Sequence, residues 1–212
     1  MHPPQAPRDG PRDGLGDGLD GGSLAKLAMR DQGAAARRRI PLPDLGVHAR
    51  AIAGHLLASE DVRRAATVAA YVSVGREPGT SVLLDALLEA GKRVIVPVVL
   101  PDLDLDWATY AGPGSLASAR LGLLEPVTPR LGVDAVATAD VVLVPGMAVS
   151  PSGDRLGKGG GCYDRALARV PVGTPVVVVL HDGEVGLEVP VEPHDRPVTA
   201  AVTPTGGLVP LR

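Results

Sequence analysis

The stretch VVLVPGMAVSPSGDRLGKGGGCYDR, Val141 to Arg165, changes character twice. Val141 to Val144 is an apolar run of strand length. After Pro145-Gly146 the chain turns to Gly, Ser and Pro, and CYDRALARV from Cys162 reads as a short helix. Strand, loop and helix in that order form the repeating unit of an α/β layer fold. In such sheets, ligands bind beyond the carboxyl ends of the strands. The glycine cluster around Lys158 therefore falls where this fold places a ligand.

The chain on either side carries the same alternation. Thr67 to Val74 (TVAAYVSV), Arg93 to Pro97 and Pro175 to Leu180 (PVVVVL) are further apolar runs, and Leu103 to Tyr110 alternates as a half-buried strand. Between them lie helical patterns. Ser23 is placed to cap LAKLAMRDQGAAARRR, and Leu45 to Ala58 sets Val47, Ile52, Leu56 and Leu57 toward one side. Thr80 is placed to cap SVLLDALLEA, which ends at Gly91. The expected fold is a single α/β domain, residues 23–212, with a mainly parallel sheet flanked by helices. Residues 1–22 are rich in Gly, Pro and Asp and read as a disordered leader.

Composition excludes several classes. The net charge of −3 and the four-residue aromatic set, with no Phe, supply neither the basic face nor the stacking platform of a nucleic-acid binder. No apolar run is long enough to span a bilayer as a helix. The lone Cys162 cannot form an intrachain disulfide, so a reducing, cytoplasmic setting is expected, and a monomer is the default expectation. His48 and His55 share a helix face but lack a third ligand at metal spacing, and no zinc is expected.

The glycine loop fails both common nucleotide fingerprints. Gly153, three residues, then Gly157-Lys158 is one residue short of a Walker A loop and lacks its hydroxyl. No Rossmann glycine spacing is present either. What remains is the physics of an anion nest: successive backbone N–H groups, a following helix, and Arg155 with Lys158 nearby. Asp164 offers a hard oxygen suited to Mg²⁺. Spacing alone leaves both a phosphate cradle and a structural turn open.

RLGKGGGCYDR, preceded by VLVPGMAVSPSGD, resembles the signature of the 5-formyltetrahydrofolate cyclo-ligases, or methenyltetrahydrofolate synthetases. Lys26 and Arg30 on the first helix, YVSVGREPGT, GKRVIVP, LGLLEP and VPVEPHD extend the resemblance from Ser23 to about Thr203. It implies an architecture similar to that of the sugar-phosphate isomerases and CoA-transferases. It also implies ATP- and Mg²⁺-dependent closure of 5-formyltetrahydrofolate to 5,10-methenyltetrahydrofolate, with release of ADP and phosphate.

By the same resemblance, Lys26, Arg30, Arg155, Leu156, Gly157, Lys158, Gly159, Gly160, Gly161, Cys162 and Tyr163 form the ATP site, with Arg155 and Lys158 catalytic. Glu77 and Tyr163 contact the folate, and Asp164 and Asp195 hold Mg²⁺. Cys162 stands where the family commonly has an aromatic residue, and Val149-Ser150 where Phe-Asp is usual. Those departures motivate an alternative, a nucleotide-binding module that has lost the folate reaction. Without the family, Lys26 and Arg30 read as solvated charges one helical turn apart, Glu77 as a loop carboxylate and Asp195 as a surface ion-pair partner.

Overall fold

The computed structural model describes residues 21–212. Residues 1–20 of the expected leader lie outside the described residues. The first helix, α1 (Gly21–Arg39), begins two residues before Ser23, which therefore sits inside the first turn and not at the N-cap. Helices α2 (Leu42–Ala58) and α3 (Glu60–Arg64) lead into β1 (Thr67–Ala69); α4 (Ser81–Glu89) and β2 (Arg93–Val99) follow. Then come β3 (Leu105–Thr109), β4 (Leu116–Ser118), β5 (Leu124–Pro126), β6 (Val141–Pro145), β7 (Ala148–Val149) and β8 (Arg155–Leu156). Helix α5 (Cys162–Leu167), β9 (Val176–Val179), β10 (Ala200–Thr203) and β11 (Gly207–Pro210) complete the chain. No helix among the described residues is long and apolar enough to cross a membrane.

The main sheet has seven strands in the order β11-β10-β9-β6-β1-β2-β3. Its five inner strands run parallel, and β3 and β11 pair antiparallel at the two edges. The inner strands are almost wholly apolar because both faces are covered. On one face α2 and α4 pack Ile52, Leu56, Leu83, Leu84 and Leu87 against Val68, Val94 and Leu143. On the other, α5 and the 3₁₀ segment at Val133–Thr138 cover Ile95, Trp107, Val142 and Val178.

Several expectations shift in detail. Val47 is 54% exposed, because the buried face of α2 is Ala49, Ile52, Ala53 and Leu56, at i, i+3, i+4 and i+7, and Val47 falls on the other side. The alternation expected from Leu103 to Tyr110 is absent: Leu105, Asp106, Trp107 and Ala108 are all buried, since α5 and the 3₁₀ segment close over this edge. The strand expected to run to Val74 ends at Ala69. Beyond it, side chains replace the ladder: Thr80 Oγ1 donates to Tyr71 O (2.7 Å), Ser73 N donates to Thr80 Oγ1 (3.0 Å), and Val74 N donates to Glu77 Oε2 (2.9 Å). Thr80 stands at the N-cap of α4, but its hydroxyl serves this loop and not the helix.

The turn before β3 is tied to the turn after α5 by Arg169, whose Nη1 and Nη2 donate to Asp104 Oδ1 (3.0 Å) and Oδ2 (2.5 Å). That bidentate pair holds the Asp104 carboxyl below its ordinary range, against the upward push of burial. A carboxylate held low in the folded chain stabilises it above the unfolded value, about 3.9, and loses that contribution as pH falls through the folded value. Asp104→Asn is therefore expected to lower the urea midpoint at pH 7 and to converge with the parent as pH falls through the folded value. A difference that persists undiminished in acid would assign the effect to packing.

Candidate active site

Strand order reverses at β1, with β2 on one side and β6 on the other. The loops leaving the carboxyl ends of β1 and β6 diverge there and open a crevice, the usual ligand position in such sheets. A cleft of about 490 Å³ occupies it. It is lined by the Glu77 loop after β1, by Pro145-Gly146 and the glycine loop after β6, by the start of α5, by α1, and by the 192–195 segment. Every residue expected in the site lies on its walls: Lys26, Arg30, Glu77, Arg155 to Asp164 and Asp195.

Arg155 has the most enclosed charged side chain among them. Its side chain is 2% exposed, in the two-stranded ribbon where Val149 faces Arg155 and Ala148 faces Leu156. Nη1 donates to Pro145 O (3.1 Å) and Nη2 to Asp164 Oδ1 (3.0 Å), and the guanidinium carbon lies 5.8 Å from the Tyr163 ring centroid. Nε is buried with no hydrogen-bond partner among the described residues. A buried guanidinium with an unused donor at a cleft wall suits an incoming anion.

Helix α1 crosses the cleft with Lys26, Arg30 and Arg37 on one face, spaced four and seven residues apart. Lys26 Nζ donates to Glu192 Oε2 (2.8 Å) and Asp195 Oδ2 (2.6 Å). Burial pulls the Lys26 ammonium down, but the two carboxylates outweigh it and hold its pKa above the ordinary value. Burial pushes the Asp195 carboxyl up, and Lys26 with the Glu192 N–H draws it net below the carboxylate range. Arg30 Nε donates to Gly157 O (2.9 Å). Gly159 stands beneath that guanidinium at φ +100°, where a Cβ would meet Arg30 Cζ at 3.4 Å, so both its conformation and the close approach call for glycine.

Glu77 and Lys158 meet across the cleft, Oε1 to Nζ, at 2.5 Å. Tyr163 is half-buried, and burial, with Glu77 adding to it, pushes its phenol well above the usual value, so the hydroxyl stays protonated. The two expected metal carboxylates lie apart in function. Asp164 Oδ1 accepts from Arg155 and from Arg196 N (3.2 Å). Asp195 groups instead with Glu192 and His194, whose ligand atoms lie within 4.8 Å of its own. Ser150 does not line the cleft. Its hydroxyl closes a local turn with Asp154 (2.8 Å), so the departure there leaves the cleft walls untouched, whereas Cys162 does face the cleft.

The model of the 5-formyltetrahydrofolate cyclo-ligase family matches residues 23–204. The chain belongs to that family. A 5-formyltetrahydrofolate cyclo-ligase of Mycolicibacterium smegmatis is 48% identical over 151 residues, 69% of this chain and 77% of that protein. One from Escherichia coli K12 is 37% identical over 142 residues, covering 66% and 78%. Among solved structures, the 5,10-methenyltetrahydrofolate synthetase of Aquifex aeolicus superposes with a TM-score of 0.75 at 26% identity, covering 88% of this chain and 93% of that one.

Sequence reading of this cyclo-ligase family member missed Glu192, His194 and Tyr71 on the cleft wall, and Arg37 behind it. Arg37 donates from Nε and Nη2 to both Glu184 oxygens (2.7 and 2.8 Å) and from Nη2 to Gly146 O (2.6 Å), fixing the turn at the cleft floor. Its signal was the spacing from Lys26 and Arg30, masked by an Arg37-Arg38-Arg39 run that reads as ordinary charge at a helix end. Glu192 sat three residues before Asp195 inside VPVEPHD.

Proposed function

We propose that this cleft binds ATP along α1 and the glycine loop, binds 5-formyltetrahydrofolate toward Glu77, and joins the two chemistries of an ATP-dependent cyclo-ligase. The observation that carries the reading is the convergence of four cations, Lys26, Arg30, Arg155 and Lys158, on one cleft that also holds Glu77 and the glycine loop. The formyl oxygen attacks the γ-phosphorus and ADP departs, leaving an imidoyl phosphate. N10 then adds to the activated carbon and loses its proton, and phosphate leaves to give 5,10-methenyltetrahydrofolate.

The chain's part is alignment and charge neutralisation, which dominate phosphoryl transfer. Arg155 and Lys158 face the transferred group, Lys26 and Arg30 hold the remaining phosphates, and the amides of Gly157 to Gly161 complete the cradle. Leu156, Cys162 and Tyr163 supply its walls. Glu77 accepts the adjacent N–H donors of the pterin. Asp164 and Asp195 fit Mg²⁺. Both are hard oxygen donors, and the bonding of Lys26 Nζ to Asp195 and Glu192 supports reading this corner as suited to a cation. Mg²⁺ supplies charge neutralisation across the phosphates when bound. The protein works as a cytoplasmic monomer in this reading.

The purified protein with 5-formyltetrahydrofolate is expected to generate methenyltetrahydrofolate absorbance only when MgATP is added. Nucleotide binding by calorimetry without product would favour the degenerate binding module. Neither binding nor product would overturn both readings.

A further inference from the structure

The ion pair between Glu77 and Lys158 joins the two proposed substrate subsites through their own ligands. Glu77 is the fixed member. Its side chain is 7% exposed and its Oε2 accepts from Val74 N (2.9 Å). Its loop is clamped by Arg76, whose Nη1 donates to Ile40 O (2.5 Å) and Arg37 O (3.3 Å), and by His181, whose Nε2 meets Arg76 O (3.1 Å). Lys158 is the movable member: its side chain is 58% exposed, on a flexible stem between two glycines.

With no substrate bound, each group caps the other. A carboxylate oxygen held by an ammonium at 2.5 Å is not free for a pterin donor pair, and an ammonium so engaged is not on a phosphate. If the triphosphate alone draws Lys158 away, Glu77 is left as an enclosed carboxylate without its counter-charge. If the pterin alone takes Glu77, Lys158 loses its anion. With both substrates present, each member exchanges one partner for another, and no charge is stranded.

We propose that the Glu77–Lys158 pair makes the binding of the two substrates mutually dependent, each raising affinity for the other. This rests on the assignment of Glu77 to the folate and Lys158 to the nucleotide. Coupling between binding sites is reciprocal, and factors of about 5–150 are typical.

The test is calorimetric titration of the full chain with 5-formyltetrahydrofolate, with and without saturating β,γ-imido-ATP and Mg²⁺, and the reciprocal titration. The Kd of each ligand is expected to fall by the same factor, about tenfold, when the other is present. Lys158→Met, at an exposed position, is expected to bring that factor to about one. Glu77→Gln, which releases Lys158 in the free protein, is expected to bind the nucleotide analogue alone more tightly than the parent. Independent Kd values in the parent, or coupling that survives Lys158→Met, would overturn the inference while leaving the assigned activity standing. Failure of the parent to bind either ligand would overturn the activity, and the inference with it.

Discussion

Asp164→Asn is expected to reduce MgATP-dependent formation of methenyltetrahydrofolate by about 10²–10³-fold in kcat/KM, with the fold retained. The magnitude is that of removing one preorganised electrostatic group from a charge-developing transition state. Asparagine keeps an Oδ1 that can accept from both Arg155 Nη2 (3.0 Å) and Arg196 N (3.2 Å), so the local frame is retained. What disappears is the negative charge, and with it the anionic ligand for Mg²⁺ and the counter-charge of a buried guanidinium. Two readouts separate these losses. A weakened metal site raises the Mg²⁺ concentration needed for half-maximal rate, whereas a misplaced Arg155 lowers the rate at saturating Mg²⁺. Turnover equal to that of the parent at every Mg²⁺ concentration would remove Asp164 from the metal site.

The parts of this site that sequence made legible are those whose signal is local. Val141–Pro145 and Val176–Val179 are apolar throughout because they lie inside a parallel sheet covered on both faces, and such runs need no partner to be read. The glycine loop announces itself by composition, and the strand before it puts the loop on the ligand-bearing edge. The illegible parts depend on long-range partners. Lys26 finds Glu192 across 166 residues, and Arg37 finds Glu184 across 147, so each reads alone as a solvated charge. The lost half of β1 has the same origin: Thr80 takes up Tyr71 O and Ser73 N, and Glu77 takes up Val74 N, backbone groups that a neighbouring strand would otherwise hold. A run of β-forming residues therefore ended early to build the loop that presents Glu77.

Gly153→Ala is expected to cost about 2–5 kcal/mol of stability and to weaken the far wall of the cleft, although Gly153 itself does not line it. Gly153 has φ +88°, and a Cβ there would lie 2.3 Å from Val198 O. The left-handed backbone alone costs an L-residue about 1–2 kcal/mol, and forcing apart a packed contact adds about 1–3. The contact cannot yield cheaply, because Val198 N donates to Gly153 O (2.8 Å) and Val198 is a buried core residue leading into β10. Whatever moves Val198 also moves Arg196, whose N–H meets Asp164, and beyond it Asp195, which holds Lys26. Gly54 provides the contrast. It lies within α2 with open space around its Cα, and Gly54→Ala is expected to stabilise by about 0.5–1 kcal/mol. Urea unfolding of both variants, read beside their Mg²⁺ dependence, tests the pair of expectations. If Gly153→Ala unfolds with the parent's midpoint, the 153–198 contact does not position the Asp195 segment. If it loses stability while its Mg²⁺ dependence is unchanged, the contact supports the fold without reaching the site.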